Sequence, residues 1–281
     1  MQLSSAQTDL PSRSNRLALS LRLMAGGVAA LFLASCAGDA RRSAEPGLRP
    51  GPGNEHFTTL HPSRFPIHGI DVSRWNGDID WQAVRAAGVR FAWIKATEGG
   101  DHLDPRFREN WANAKAAGVP RGAYHFVWWC RPGHEQVEWF KRNVPREADA
   151  LPPVLDVEFQ PKSRNCPKKI VREEALAKMR LMLREMELHY GRKPVIYVTV
   201  DFYAAIMHPD EFKDYPVWVR STKYEPSVHY PGRVWTFWQY QSDARIPGIR
   251  GKTDSNAFYG TAEQWRDWLA GRHQLPVMRK P

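Results

Sequence analysis

With 281 residues, 42% of them hydrophobic and 25% charged, the chain has the make-up of one large α/β domain or two small ones, which excludes a protein without a packed core. The formal net charge of +10 is spread along the sequence with no run of five or six like charges, so it suits any polyanion and selects none. Twelve Trp point to a large core or to a groove that stacks flat ligands, sugar rings and nucleic-acid bases among them.

The front of the chain places Arg13, Arg16 and Arg22 before the 13 apolar residues Leu23 to Ser35. That stretch is short for a bilayer span, which needs about 20, and has the layout of a signal peptide. It ends in Leu33-Ala34-Ser35-Cys36, which resembles the lipobox of bacterial lipoproteins, where the Cys is acylated and becomes the new N-terminus. The expectation is export over residues 1–35 and a lipid anchor to the cell envelope at Cys36. Ala37 favours the outer membrane, facing the periplasm, where the host is Gram-negative. Residues 36–65 are rich in Gly, Pro, Arg and Ser and read as a flexible tether. Cys130 and Cys166 lie in no CxxC or Cys/His pattern; in an exported protein they form a disulfide or stay buried thiols.

From residue 66 to 272 strands and helices alternate, leaving a tail at 273–281. Strands are expected at Ile67 to Val72, Phe91 to Ala96, Gly122 to Trp128, Pro153 to Phe159 and Val195 to Thr199. Between them lie helices at Trp81 to Ala87 (capped by Asp80 and stopped at Gly88), Pro105 to Ala117, Pro132 to Asn143 and Lys168 to Tyr190, with a short one starting near Asp201. Val217 to Arg220, Val234 to Gln241 and Thr253 to Phe258 then read as strands joined only by loops. Five βα units followed by three loop-linked strands predict an irregular parallel α/β barrel of TIM-like type, with an open doubly wound sheet as the alternative. No strand is followed by a glycine-rich phosphate loop and no metal-ligand cluster stands out, so no cofactor or metal is expected.

Catalytic side chains of a βα barrel sit at the C-terminal ends of strands. Acids occupy that place at Asp71, at Asp156 and Glu158, and at Asp254 in the last strand. Asp156 and Glu158 are two apart, so both face the same side with Cα atoms about 6.6 Å apart. Two inward acids crowd each other, and crowding raises the pKa of one, making it a general acid near neutrality. Spacing alone leaves a second reading, a pair salt-bridged to a barrel Lys or Arg such as Lys95. Lys95 and Glu98 are open between groove residues and a structural ion pair. His125 is expected to pack beside the groove, and Trp81, Trp111 and Trp139 to face the barrel as core.

These residues also carry a family likeness. His68-Gly69-Ile70-Asp71-Val72-Ser73 with Trp75, Phe91-Ala92-Trp93-Ile94-Lys95-Ala96-Thr97-Glu98-Gly99, Gly122-Ala123-Tyr124-His125-Phe126, Leu155-Asp156-Val157-Glu158, Trp238-Gln239-Tyr240 and Asp254-x-Asn256 occur in order over some 200 residues. Together they resemble glycoside hydrolase family 25, the muramidases of the Chalaropsis type. The resemblance implies a barrel of five βα units plus three strands, acting on peptidoglycan glycan strands at the β-1,4 bond between N-acetylmuramic acid and N-acetylglucosamine; the chain is expected to work as a monomer. It implies Glu158 as general acid/base, Asp71, Asp156 and Asp254 as the other active-site acids, and Tyr124, Trp218 and Tyr240 as saccharide-groove residues; Trp238, Asn256 and Lys95 are expected to bind substrate beside them. The muramic acid acetamido group can assist the reaction, oriented by Asp156 or Asp254. A chitinase-like hydrolase also ends a strand in Asp-x-Glu but carries further acids where this chain has Val154 and Leu151. A catalytically idle wall-binding lipoprotein is the competing class, and nucleic-acid binding is not expected of an exported barrel.

Overall fold

The computed structural model of the protein describes Phe57 and residues 59–272, except 161, 162, 164, 165, 167, 168 and 208–210. The residues read as signal segment and lipobox, Cys36 included, most of those read as tether, and the C-terminal tail lie outside the described residues. In chain order the elements are β1 (His68–Val72), α1 (Trp81–Ala86), β2 (Phe91–Glu98), β3 (His102–Leu103), α2 (Phe107–Ala116), β4 (Arg121–Phe126), α3 (Gly133–Asn143), β5 (Val154–Val157), α4 (Arg172–Tyr190), β6 (Val195–Val198), α5 (Val200–Ala205), β7 (Val217–Arg220), α6 (Pro226–His229), β8 (Phe237–Ala244), β9 (Thr253–Phe258) and α7 (Ala262–Leu269). Local chemistry sets several boundaries. The Asp80 carboxylate accepts from the backbone N–H groups of Gln82 and Ala83 and starts α1, while Gly191, at φ 69°, closes α4 in the left-handed conformation.

The strands pair in the order β1-β9-β8-β7-β6-β5-β4-β2-β3, and β1 also pairs with β2, so eight strands close into a barrel with β3 appended to β2. Neighbours are parallel around the ring except for β9, which runs antiparallel to both β8 and β1. This is the expected barrel of five βα units followed by three strands. Several details differ from the sequence reading. The link between β7 and β8 contains the one-turn helix α6. The strand expected from Val234 begins at Phe237, and the strand expected to reach Phe159 ends at Val157, which leaves Glu158 just beyond it. Phe57 and Phe65, read as tether, pack on the barrel: Phe57 is buried with its ring edge-on to Trp238 at 4.9 Å, and Phe65 is buried against Trp235 and Tyr259.

Side-chain alternation divides the core in two. Outward-facing residues such as Ile70, Ile94, Leu155, Ile196 and Val219 pack against Trp81, Phe140, Leu176 and Met179 of the helical ring. The inward set is aromatic: Phe91, Trp93, Tyr197, Trp218, Phe237 and Phe258 fill the barrel, with Trp265 and Trp268 of α7 against them. Trp93 and Trp218 stack at 5.7 Å. Such rings leave no room for neighbouring side chains. A Cβ on Gly122 would run into the Trp93 ring, and one on Gly69 would sit 2.5 Å from the carbonyl oxygen of Phe91. Gly122→Ala is therefore expected to cost at least about 1–3 kcal/mol of stability through overpacking. Urea unfolding measures it, and a midpoint equal to wild type would contradict the packing argument.

Trp81 and Trp111 are buried in the outer core as expected. Trp139 is only half-buried; its indole N–H donates to the carbonyl of His102 at 2.9 Å and pins β3 rather than filling the core. Among the described residues no helix is long and apolar enough to cross a membrane.

Candidate functional site

The aromatic filling stops one layer short of the C-terminal end of the parallel strands, where polar residues take the inward positions. They line a pocket of about 240 Å³: Asp71 from β1, Tyr124 from β4, Asp156 from β5 with Glu158 just after it, Tyr197 from β6, Trp218 and Arg220 from β7, Gln239 from β8 and Asp254 from β9. The structure thus brings all four sequence-predicted acids together, along with Tyr124 and Trp218.

Asp71 and Asp254 lie directly opposite each other in the β1–β9 pair. Like charges in that arrangement repel. Asp71 is held by two donors, Asn256 Nδ2 at 2.8 Å and Gln239 Nε2 at 3.0 Å, both to Oδ2. Each amide is oriented in turn by a buried aromatic: Trp218 Nε1 donates to Asn256 Oδ1 at 2.8 Å, and the Tyr197 hydroxyl donates to Gln239 Oε1 at 2.9 Å. Two relays therefore converge on one carboxylate and fix its rotamer. Burial still pushes the Asp71 carboxyl up to about 6, against those hydrogen bonds and the positive charge of Arg220. Burial, with the Asp71 charge adding to it, pushes Asp254 up to about 8 while Arg220 pulls the other way.

Across the pocket Asp156 and Glu158 are hydrogen-bonded to each other. Burial raises both, and the Glu158 charge raises Asp156 further. The charges of Arg220 and Lys95 oppose the rise at Glu158. The Glu158 backbone is fixed from outside the pocket: its carbonyl accepts from Trp129 Nε1 at 2.9 Å, and the Trp129 ring stacks on Phe202 at 4.9 Å. The residue after Trp129, Cys130, is disulfide-bonded to Cys166, which ties the loop after β4 to the loop after β5. The phenols of Tyr124 and Tyr197 are raised by burial and by the surrounding acids, so both stay neutral.

Four expected groove residues sit elsewhere. Trp238 and Tyr240 point outward from β8, because Phe237 and Gln239 take the inward positions of that strand. Trp238 donates to the Ser221 carbonyl at 2.8 Å, and the Tyr240 hydroxyl meets His68 Nδ1 at 3.0 Å; both are fully buried in the outer layer. Asn256 faces inward but is fully buried beneath the pocket, where it serves Asp71. Lys95 does not salt-bridge the acid pair; it pairs with Glu98 at 2.7 Å, over the Phe126 ring at 4.9 Å. His125 is buried in the outer layer between Thr97 and Gln136, and burial holds it neutral at about 4. Sequence reasoning did not single out Tyr197, Arg220, Gln239 or Trp129. Inward parity at strand ends was the available signal for the first three; for Trp129, in a loop, there was none.

Three comparisons bear on this arrangement. The family profile described as Glycosyl hydrolases family 25 matches residues 70–249. Lysozyme M1 of Streptomyces globisporus is 36% identical over 233 residues, covering 78% of this chain and 76% of that protein. The uncharacterized protein YegX of Escherichia coli K12 is 36% identical over 225 residues, covering 78% and 79%. Among solved structures, a family 25 glycosyl hydrolase from Bacillus anthracis superposes with a TM-score of 0.68 at 36% identity, covering 77% of this chain and 99% of that one.

Proposed function

The chain belongs to glycosyl hydrolases family 25, and we propose that it is an N-acetylmuramidase that hydrolyses the β-1,4 bond between N-acetylmuramic acid and N-acetylglucosamine in peptidoglycan. The carrying observation is the hydrogen-bonded Asp156–Glu158 pair facing the Asp71–Asp254 pair across one pocket. Glycoside cleavage needs a proton for the departing oxygen and a negative charge near the sugar carbon that becomes electron-poor. Glu158 supplies the proton, its carboxyl raised by burial. Burial and the Glu158 charge disfavour the ionised form of Asp156, so the negative charge comes from the facing pair. Asp71 ionises near 6 and Asp254 near 8, and the two hold one charge between them at neutrality.

In the first step the acetamido carbonyl oxygen of muramic acid attacks C1 as the glycosidic bond breaks, and the leaving sugar takes the proton from Glu158. The Asp71–Asp254 charge orients the acetamide N–H and balances the cationic oxazoline ring. In the second step Glu158 removes a proton from water, which opens the ring at C1. Two displacements retain the anomeric configuration. Digestion of purified wall followed by borohydride reduction should yield reduced muramic acid ends, and NMR of the first product should show the β anomer. Reduced glucosamine ends would overturn the bond assignment, and a first-formed α anomer the assisted route.

We also propose export and acylation at Cys36, with the enzyme working as a monomer on a leash at the cell envelope. The Cys130–Cys166 disulfide supports an oxidising compartment. In a bacterial host fed labelled palmitate, wild type should take up label and fractionate with membranes, and Cys36→Ser should do neither. Label persisting in the variant would remove the anchor.

A further inference from the structure

Arg220 lies in the pocket without closing on any of its acids. It is the last residue of β7, with its main chain held by the β8 register at Gln239 and its carbonyl accepting the Tyr230 hydroxyl at 2.8 Å. The guanidinium faces the pocket with Asp71, Glu158 and Asp254 and is felt electrostatically by all three. Yet no carboxylate among the described residues comes within 4.0 Å of it, whereas the buried Arg121 is paired with Glu147 and Asp149. Lys95, the other nearby cation, is occupied by Glu98. A planar fork of donors is thus presented to the pocket from a rigid strand end.

Resting on the muramidase reading above, we propose that Arg220 determines specificity for muramic acid by receiving the lactyl carboxylate on its O3. That group is the difference between muramic acid and glucosamine, and a guanidinium matches a carboxylate with two parallel hydrogen bonds. The surrounding acids do not repel the anion as four charges would, because burial raises the carboxyl of Asp254 to about 8 and that of Asp156 well above its ordinary value. An unpaired Arg beside them supplies the positive charge that draws the lactyl group to this side of the pocket.

The test uses peptide-free peptidoglycan glycan and the same glycan with its lactyl carboxylates reduced to primary alcohols. Wild type should cut the carboxylate form with a kcat/KM about tenfold or more above the alcohol form, mostly through KM. In Arg220→Met that preference should fall to near unity, and Arg220→Lys should restore part of it. Wild type cutting both glycans equally overturns the role of Arg220 while leaving the muramidase reading intact, and needs no variant. Retention of the full preference in a folded Arg220→Met overturns it too. If wild type cuts neither glycan, the muramidase reading itself fails.

Discussion

Glu158→Gln is expected to lower kcat by about 10²–10⁴-fold on purified wall, with the melting temperature unchanged or slightly raised. Gln fills the same space at the end of β5 and accepts the hydrogen bond from Asp156, but it cannot release a proton to the departing oxygen. At about 1.36 kcal/mol per tenfold, the loss corresponds to about 3–5 kcal/mol of transition-state stabilisation. Binding of wall fragments should survive, because the change removes one charge from a pocket already crowded with acids. A variant within about threefold of wild type would transfer the acid/base role to another group, and Asp156 would be the next to substitute.

Asp254→Asn is expected to stabilise the protein while disabling it. Asp254 titrates at about 8 in the fold, against 3.8 for an ordinary Asp, so the folded state binds more protons than the unfolded chain between those values. Stability contributed by this group is therefore present at low pH and lost as pH rises from about 4 to about 8. An amide carries no charge to desolvate or to set against Asp71. At about pH 8 the variant should gain on the order of 2 kcal/mol, seen as a melting temperature several degrees higher, and the gain should vanish near about pH 4. Activity should fall at least about tenfold, since the Asp71–Asp254 charge would be altered. A pH-independent difference in melting temperature would show that repulsion and burial at Asp254 are not the source. The trade is the familiar one of a site kept at the expense of the fold around it.

Much of this was legible in the chain itself. The alternation of apolar runs and capped helices determined five βα units and three further strands, and strand-end position brought out Asp71, Asp156, Glu158 and Asp254, with motif spacing naming the family resemblance. Helix α7 went unread although Thr261 and Gln264 form a capping box at its start, because eight residues with two Trp do not establish a period. What the sequence could not decide was which side of each strand faces the barrel when both sides are apolar. In β8 the run Phe237-Trp238-Gln239-Tyr240 is buried throughout, and closure with β7 and β9 turned Gln239 inward and sent Trp238 and Tyr240 to the outer layer. Partner choice was equally tertiary. Lys95 had Glu98 and the Asp156–Glu158 pair within reach, and the geometry of β2 gave it to Glu98. The two amides that converge on Asp71 come from 168 and 185 residues along the chain. The raised carboxyls of Asp156 and Glu158 and the unclaimed guanidinium of Arg220 depend on burial and closure that exist only once β9 has sealed the barrel, because neither desolvation nor the distance to a partner is written in local sequence.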